Sequence, residues 1–163
     1  MILYIIVSFF LENVVGLLFN NSFIIPLFFL VSLITLYQFK NMDYEKYLFL
    51  LTILGFIYDV VYTNIYINSL LFLIVGSLVV LYSKYISNSF LLNLLAVFLS
   101  LIVYESVYYY IYILLGLNDF SLSILIKSLI STIPINVGYY ILSYLCLNKV
   151  KAGRWCYAWN SWS

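Results

Sequence analysis

Gly55-Phe56-Ile57-Tyr58-Asp59-Val60-Val61-Tyr62-Thr63-Asn64-Ile65-Tyr66-Ile67-Asn68 is the stretch that decides how this chain reads. It lies in one of the most apolar parts of the sequence, and it carries an acid. An aspartate in a hydrocarbon-compatible helix costs about 2.5–3.5 kcal/mol on insertion scales. A merely structural span has no need of that cost. Gly55, Asp59, Tyr62 and Tyr66 are spaced four, three and four apart, so they share one stripe of a helix, which Thr52 extends backwards. The opposite face is Leu, Ile, Phe and Val. A membrane helix with such a stripe turns it towards other protein, not towards lipid.

The rest of the composition agrees. Of 163 residues, 66% are hydrophobic and 8% charged, with a mean hydropathy of +1.12. A soluble domain has about 25% charged residues. The expectation is an all-α membrane protein whose partner is the lipid bilayer. Long apolar runs without alternation argue against a β-barrel. A net charge of +1 and no basic patch give no reason to expect nucleic acid.

The absence of histidine removes His-based triads, most zinc sites and His proton relays. Cys146 and Cys156 are not in CxxC spacing, so neither a metal site nor a structural disulfide is expected. No Gly-rich phosphate loop, Walker sequence or HExxH occurs. A membrane aspartyl protease needs two facing aspartates, and only Asp59 lies within a span. No catalytic residues, cofactor or enzymatic activity are expected.

A span needs about 20 apolar residues. Six fit, at residues 2–19, 23–39, 47–62, 69–82, 90–115 and 122–147. The first reads as a retained span rather than a cleaved signal. Pro26 falls in the first turn of the second span, where proline is tolerated. Asn68 is a candidate N-cap for the fourth, and Pro134 interrupts the sixth. Lys40 and Lys46 lie between spans two and three, Lys84 between four and five, and Lys149, Lys151 and Arg154 after six. In an alternating six-span arrangement these share one side, which places both termini in the cytoplasm. The single domain covers residues 1–149. Residues 150–163 form a short tail with all three tryptophans and the only arginine. It is either an interfacial anchor or a segment foreign to the domain.

Glu12, Asp59, Glu105 and Lys127 are the ionisable residues inside spans, and each is costly unless paired or near water. By depth, Lys127 is expected within reach of Asp59 or Glu105, and Glu12 has no cationic partner. These groups are either glue between helices or the lining of a polar cavity or partner face. Tyr104, Tyr108, Tyr109, Tyr110 and Tyr112 read as an interfacial aromatic belt. Asn136 follows Pro134, which frees a backbone carbonyl; asparagine can satisfy it or bond across helices.

Up to about residue 149 the chain resembles MreD, the rod-shape-determining membrane protein of bacteria. Gly55-x-x-x-Asp59-x-x-Tyr62, a polar break, then Asn68 opening an apolar helix that runs to Val75-Gly76-Ser77-Leu78 carry the likeness. Pro26 and Pro134-x-Asn136 add to it. In place of a glycine often found at the break, this chain has Thr63-Asn64-Ile65-Tyr66. The resemblance implies a non-enzymatic subunit of the cell-elongation machinery in the bacterial cytoplasmic membrane. Such a subunit binds MreC and connects peptidoglycan synthesis by RodA and its penicillin-binding protein to MreB. Gly55, Asp59, Tyr62, Asn68, Glu105, Lys127, Pro134 and Asn136 are then the partner or packing positions. The implied fold is similar to the S components of energy-coupling-factor transporters, so a vitamin-binding S component is the alternative. Such a subunit needs a roomy pocket with convergent polar groups and alanine-rich docking faces, and this chain has almost no alanine in its spans.

Overall fold

The computed structural model describes residues 2–19, 25–40, 42–62, 67–85, 89–116 and 120–160, except the side chains of residues 2, 40 and 150–160. Within them the chain forms α1 (Ile2–Leu18), α2 (Phe28–Lys40), α3 (Tyr44–Tyr62), α4 (Asn68–Tyr85), α5 (Phe90–Leu114) and α6 (Leu122–Asn160). Three segments are long and apolar enough to cross a membrane: Asn68–Tyr85, Phe90–Leu114 and Leu122–Lys149. The apolar helices Leu3–Leu18 and Phe28–Phe39 are shorter. α3 has 19 residues but carries Glu45, Lys46 and Asp59. The chain is therefore an all-α, multi-pass membrane protein.

α2 is the axis of the bundle, because it packs against α1, α4, α5 and α6. Its sequence explains this position. A helix that is apolar all round has no face to give to solvent, and Leu27 through Leu36 are all buried. The polar members, Ser32 and Thr35, return their hydroxyls to the helix's own carbonyls, Phe29 O and Val31 O. Pro26 does not sit in the first turn as the sequence suggests. Residues 25–27 are non-helical, and the first turn closes by the Val31 N–H on Leu27 O at 3.0 Å.

α3 and α4 form the closest pair, and glycine makes this possible on both sides. A Cβ on Gly55 would lie 2.7 Å from the Ser69 Cα, and one on Gly76 would meet the Leu51 side chain. The stripe that carries Gly55 therefore turns towards another helix, as the sequence suggests.

The helices from α2 onwards alternate in direction. At one end of the bundle the end of α2 meets the starts of α3 and α5. Tyr37 stacks on Tyr47 at 4.3 Å, and Gln38 accepts from Tyr140 on α6 at 3.0 Å and reaches Asn93 O at 3.4 Å. Lys46 and Lys84 lie at this end. At the other end the start of α4 meets the end of α3 and the second half of α5. α5 leaves through Gly116, whose φ of +69° is in the left-handed region that glycine tolerates. Pro134 does not interrupt α6, which runs through it and past residue 149 to Asn160.

Candidate functional site

The polar residues singled out in the sequence gather at the end away from Lys46 and Lys84, and three of them, Glu12, Asp59 and Asn136, serve helix starts. The first backbone N–H groups of a helix have no intrahelical acceptor. Without water they need a side chain. Asp59 of α3 provides it for α4. Its Oδ1 accepts from the Asn68 N–H and the Asn68 Nδ2, both at 2.9 Å, and its Oδ2 accepts from the Ser69 N–H at 2.8 Å. Asp59 is fully buried. Asn68 was expected to cap α4 with its own side chain. Instead Asp59 caps the helix from α3, and the Asn68 Oδ1 takes the Tyr104 hydroxyl of α5 at 2.5 Å. The reason is the close approach at Gly55, which puts the start of α4 within reach of an acid one turn further along α3.

The start of α2 is held in the same way from two sides. Glu12 of α1, 3% exposed, accepts the Phe29 N–H on Oε2 at 2.8 Å and the Tyr58 hydroxyl on Oε1 at 2.6 Å. From α6, the Asn136 Oδ1 accepts the Leu27 N–H at 2.7 Å, and its Nδ2 donates to Ile25 O at 3.0 Å and to Thr132 O at 2.9 Å. The Thr132 hydroxyl accepts the Ile25 N–H at 3.1 Å. Pro26, between these two residues, has no N–H to satisfy. Asn136 thus bonds across helices, one of the two roles open to it, and Pro134 sits exposed on the same helix.

Glu105 of α5 is 2% exposed and faces α6, where Ser128 donates to its Oε2 at 3.0 Å. Its Oε1 has no hydrogen-bond partner among the described residues. The pairing expected of Lys127 is not made. Lys127 is exposed and forms no ion pair with Asp59 or Glu105 among the described residues. The cause is helix phase: Ser128 and Thr132 face Glu105, and Lys127 is about 100° round the helix from Ser128.

Between these networks lies a partly open cavity of about 240 Å³, lined by Ile25, Tyr58, Tyr62, Asn68, Tyr104 and Tyr108. Tyr62, 37% exposed, meets Phe9 of α1 edge-on at 5.5 Å. Tyr66 lies outside the described residues. The aromatic-belt expectation fails at two positions, because Tyr104 and Tyr109 are buried. The Tyr109 hydroxyl clamps the entry to α6, donating to Ser121 O at 2.9 Å and accepting the Ser121 N–H at 2.8 Å. Tyr58, Ser128 and Thr132 were missed from sequence. Tyr58 and Tyr104 had a signal: each has a second tyrosine four residues on, Tyr62 and Tyr108, so each helix shows a tyrosine pair on one face.

Compared with protein-family models, with curated proteins and with solved structures, the chain matches none of them.

Proposed function

We propose that this chain is a non-enzymatic scaffold subunit of the bacterial cell-elongation machinery, of the MreD kind. In this reading it spans the cytoplasmic membrane six times with both termini inside, binds MreC, and links wall synthesis by RodA and its penicillin-binding protein to MreB. The observation that carries it is the use made of Glu12 and Asp59. A catalytic or transport site aims its acids at a substrate. Here both carboxylates serve backbone N–H groups at the start of another helix. That use fixes how α1 to α4 sit together, and a rigid frame with an unchanging surface is what a docking subunit needs. The lysines grouped at one end of the bundle support the orientation.

The cavity raises a second reading, the S component of a vitamin transporter. Its volume of about 240 Å³ falls below the roughly 300–1,000 Å³ of sites for drug-sized ligands, which weighs towards the scaffold. Co-purification decides between the two. The tagged chain expressed with MreC is expected to retain it through gel filtration and to restore rod shape to cells lacking their own subunit. Failure of both would overturn the scaffold reading, and retention of an energising ATPase module with a vitamin would establish the other. Reporter fusions after Asn21, Asn64 and Asn118 are expected outside and those after Met42 and Ser87 inside. An outside signal at Met42 would defeat the six-span arrangement.

A further inference from the structure

Independently of the scaffold reading, we propose that the tyrosine-walled cavity binds a small organic ammonium by cation–π contact. Its walls are two ring pairs from different helices. On α3, Tyr58 and Tyr62 have centroids 4.4 Å apart; on α5, Tyr104 and Tyr108 lie near-parallel at 12° with centroids 5.9 Å apart. All four line one cavity. Phe72 of α4 contacts a ring of each pair, at 5.5 Å from Tyr58 and 6.2 Å from Tyr104. Aromatic faces carry negative charge density and attract a cation within about 6 Å of the ring centre, most strongly where water is excluded. Recognition of organic ammonium groups is the best-known use of clustered aromatic rings.

The ionisable side chains behind the rings are all acids. Glu12 bonds the Tyr58 hydroxyl, Asp59 bonds Asn68, and Glu105 follows Tyr104 on α5. No lysine or arginine lines the cavity among the described residues. Lys127 is exposed, and Lys46 and Lys84 belong to the other end. An anion entering here would find tyrosine rings and no cationic side chain among the described lining residues. A cation would meet a field focused by low-dielectric walls. The ammonium can come from a free amine or from the headgroup of a lipid such as phosphatidylethanolamine or phosphatidylcholine.

The test uses the full chain in nanodiscs made only of phosphatidylglycerol. Choline and its neutral isostere 3,3-dimethylbutan-1-ol are titrated calorimetrically. Choline is expected to bind saturably and at least about ten-fold more tightly than the isostere, because only the cation gains from the rings. Tyr62→Leu and Tyr108→Leu are each expected to weaken choline about ten-fold, while Tyr62→Phe, which keeps the ring, holds it within about three-fold. Adding phosphatidylcholine to the discs then assigns the source. Loss of apparent choline affinity indicates a headgroup, and unchanged affinity a free amine. Equal binding of choline and the isostere by the unsubstituted chain would overturn the proposal, as would no saturable binding in phosphatidylglycerol discs. Undiminished choline binding by both leucine variants would overturn it too.

Discussion

Gly55→Ala is the sharpest test of how this bundle is held. The added Cβ would lie 2.7 Å from the Ser69 Cα and 3.2 Å from both Asn68 O and Ser69 N. These are backbone atoms, so no rotamer change relieves the contact. Ordinary carbon–carbon separations are about 3.5–4.0 Å, so α3 and α4 must part by roughly 1 Å. Overpacking of this kind costs about 1–3 kcal/mol. The same movement stretches the Asp59 bonds to the Asn68 and Ser69 N–H groups, now 2.9 and 2.8 Å. A buried donor left unpaired adds about 1–3 kcal/mol. A loss of about 2–6 kcal/mol is therefore expected, with the hydrogen-bond part depending on how far the pair opens. The assay is reversible unfolding of the purified chain in mixed micelles, with Gly138→Ala as control. A Cβ at Gly138 meets nothing within 4 Å, and alanine is favoured over glycine inside a helix by about 1 kcal/mol. Gly138→Ala should therefore be neutral or stabilising. If Gly55→Ala unfolds together with the unsubstituted chain, the close crossing is not what fixes α3 against α4.

Asp59→Asn is expected to cost about 1–3 kcal/mol in the same assay, because the new amide points a donor at a backbone N–H that Asp59 now satisfies; a variant as stable as the parent would show the cap to be dispensable. Asn136→Leu should cost at least as much, since the Leu27 N–H and the Ile25 carbonyl lose their partner together, and faster hydrogen exchange at Leu27 is its specific readout. At the opposite end, the Asp43 carboxyl is held below its usual range by the Lys46 ammonium 2.8 Å away. A depressed folded-state value means that this contact favours the fold above the ordinary carboxylate range and is lost as pH falls through the lowered value. Carbon NMR should find Asp43 titrating below a model aspartate, and Lys46→Ala should return it to normal; no change on substitution would refute the pairing.

The helices were legible because long apolar runs bounded by Asn, Ser, Gly and Pro leave little choice. Gly55 was legible too, because a glycine on the polar stripe of an apolar helix marks a face that another backbone can approach. The pairing of Lys127 was misjudged because depth along a span was weighed and phase round the helix was not. Asn68 and Asp59 show another limit. Both are good capping residues by type, and the sequence gives no sign that the acid on one helix caps the next while the asparagine serves a tyrosine on a third. Such an exchange depends on how closely α3 and α4 approach, which is a property of packing. Tyr58 was passed over because it lies beside the chosen stripe, and only the arrangement of α1 shows that Glu12 reaches it.

The use of side chains to satisfy the helix starts bears directly on function. In water the first turn of a helix can be completed by solvent, so an acid placed there is optional. In a bilayer an unsatisfied N–H costs several kcal/mol. A bundle whose second and fourth helices begin among other helices must therefore bring acceptors from elsewhere. Asp59, Glu12 and Asn136 are those acceptors, and each comes from a helix next to the one it serves. The buried settings of Asp59 and Glu12 are accounted for by the backbone N–H groups they serve. Glu105 differs. Its Oε2 takes a serine hydroxyl and its Oε1 takes nothing among the described residues, so no helix start accounts for it. It lies one residue from Tyr104, which lines the cavity. Glu105→Gln keeps the shape and the Ser128 contact. It should leave unfolding within about 1 kcal/mol of the parent, because no buried N–H loses its acceptor. A larger loss would return Glu105 to the frame with Asp59 and Glu12.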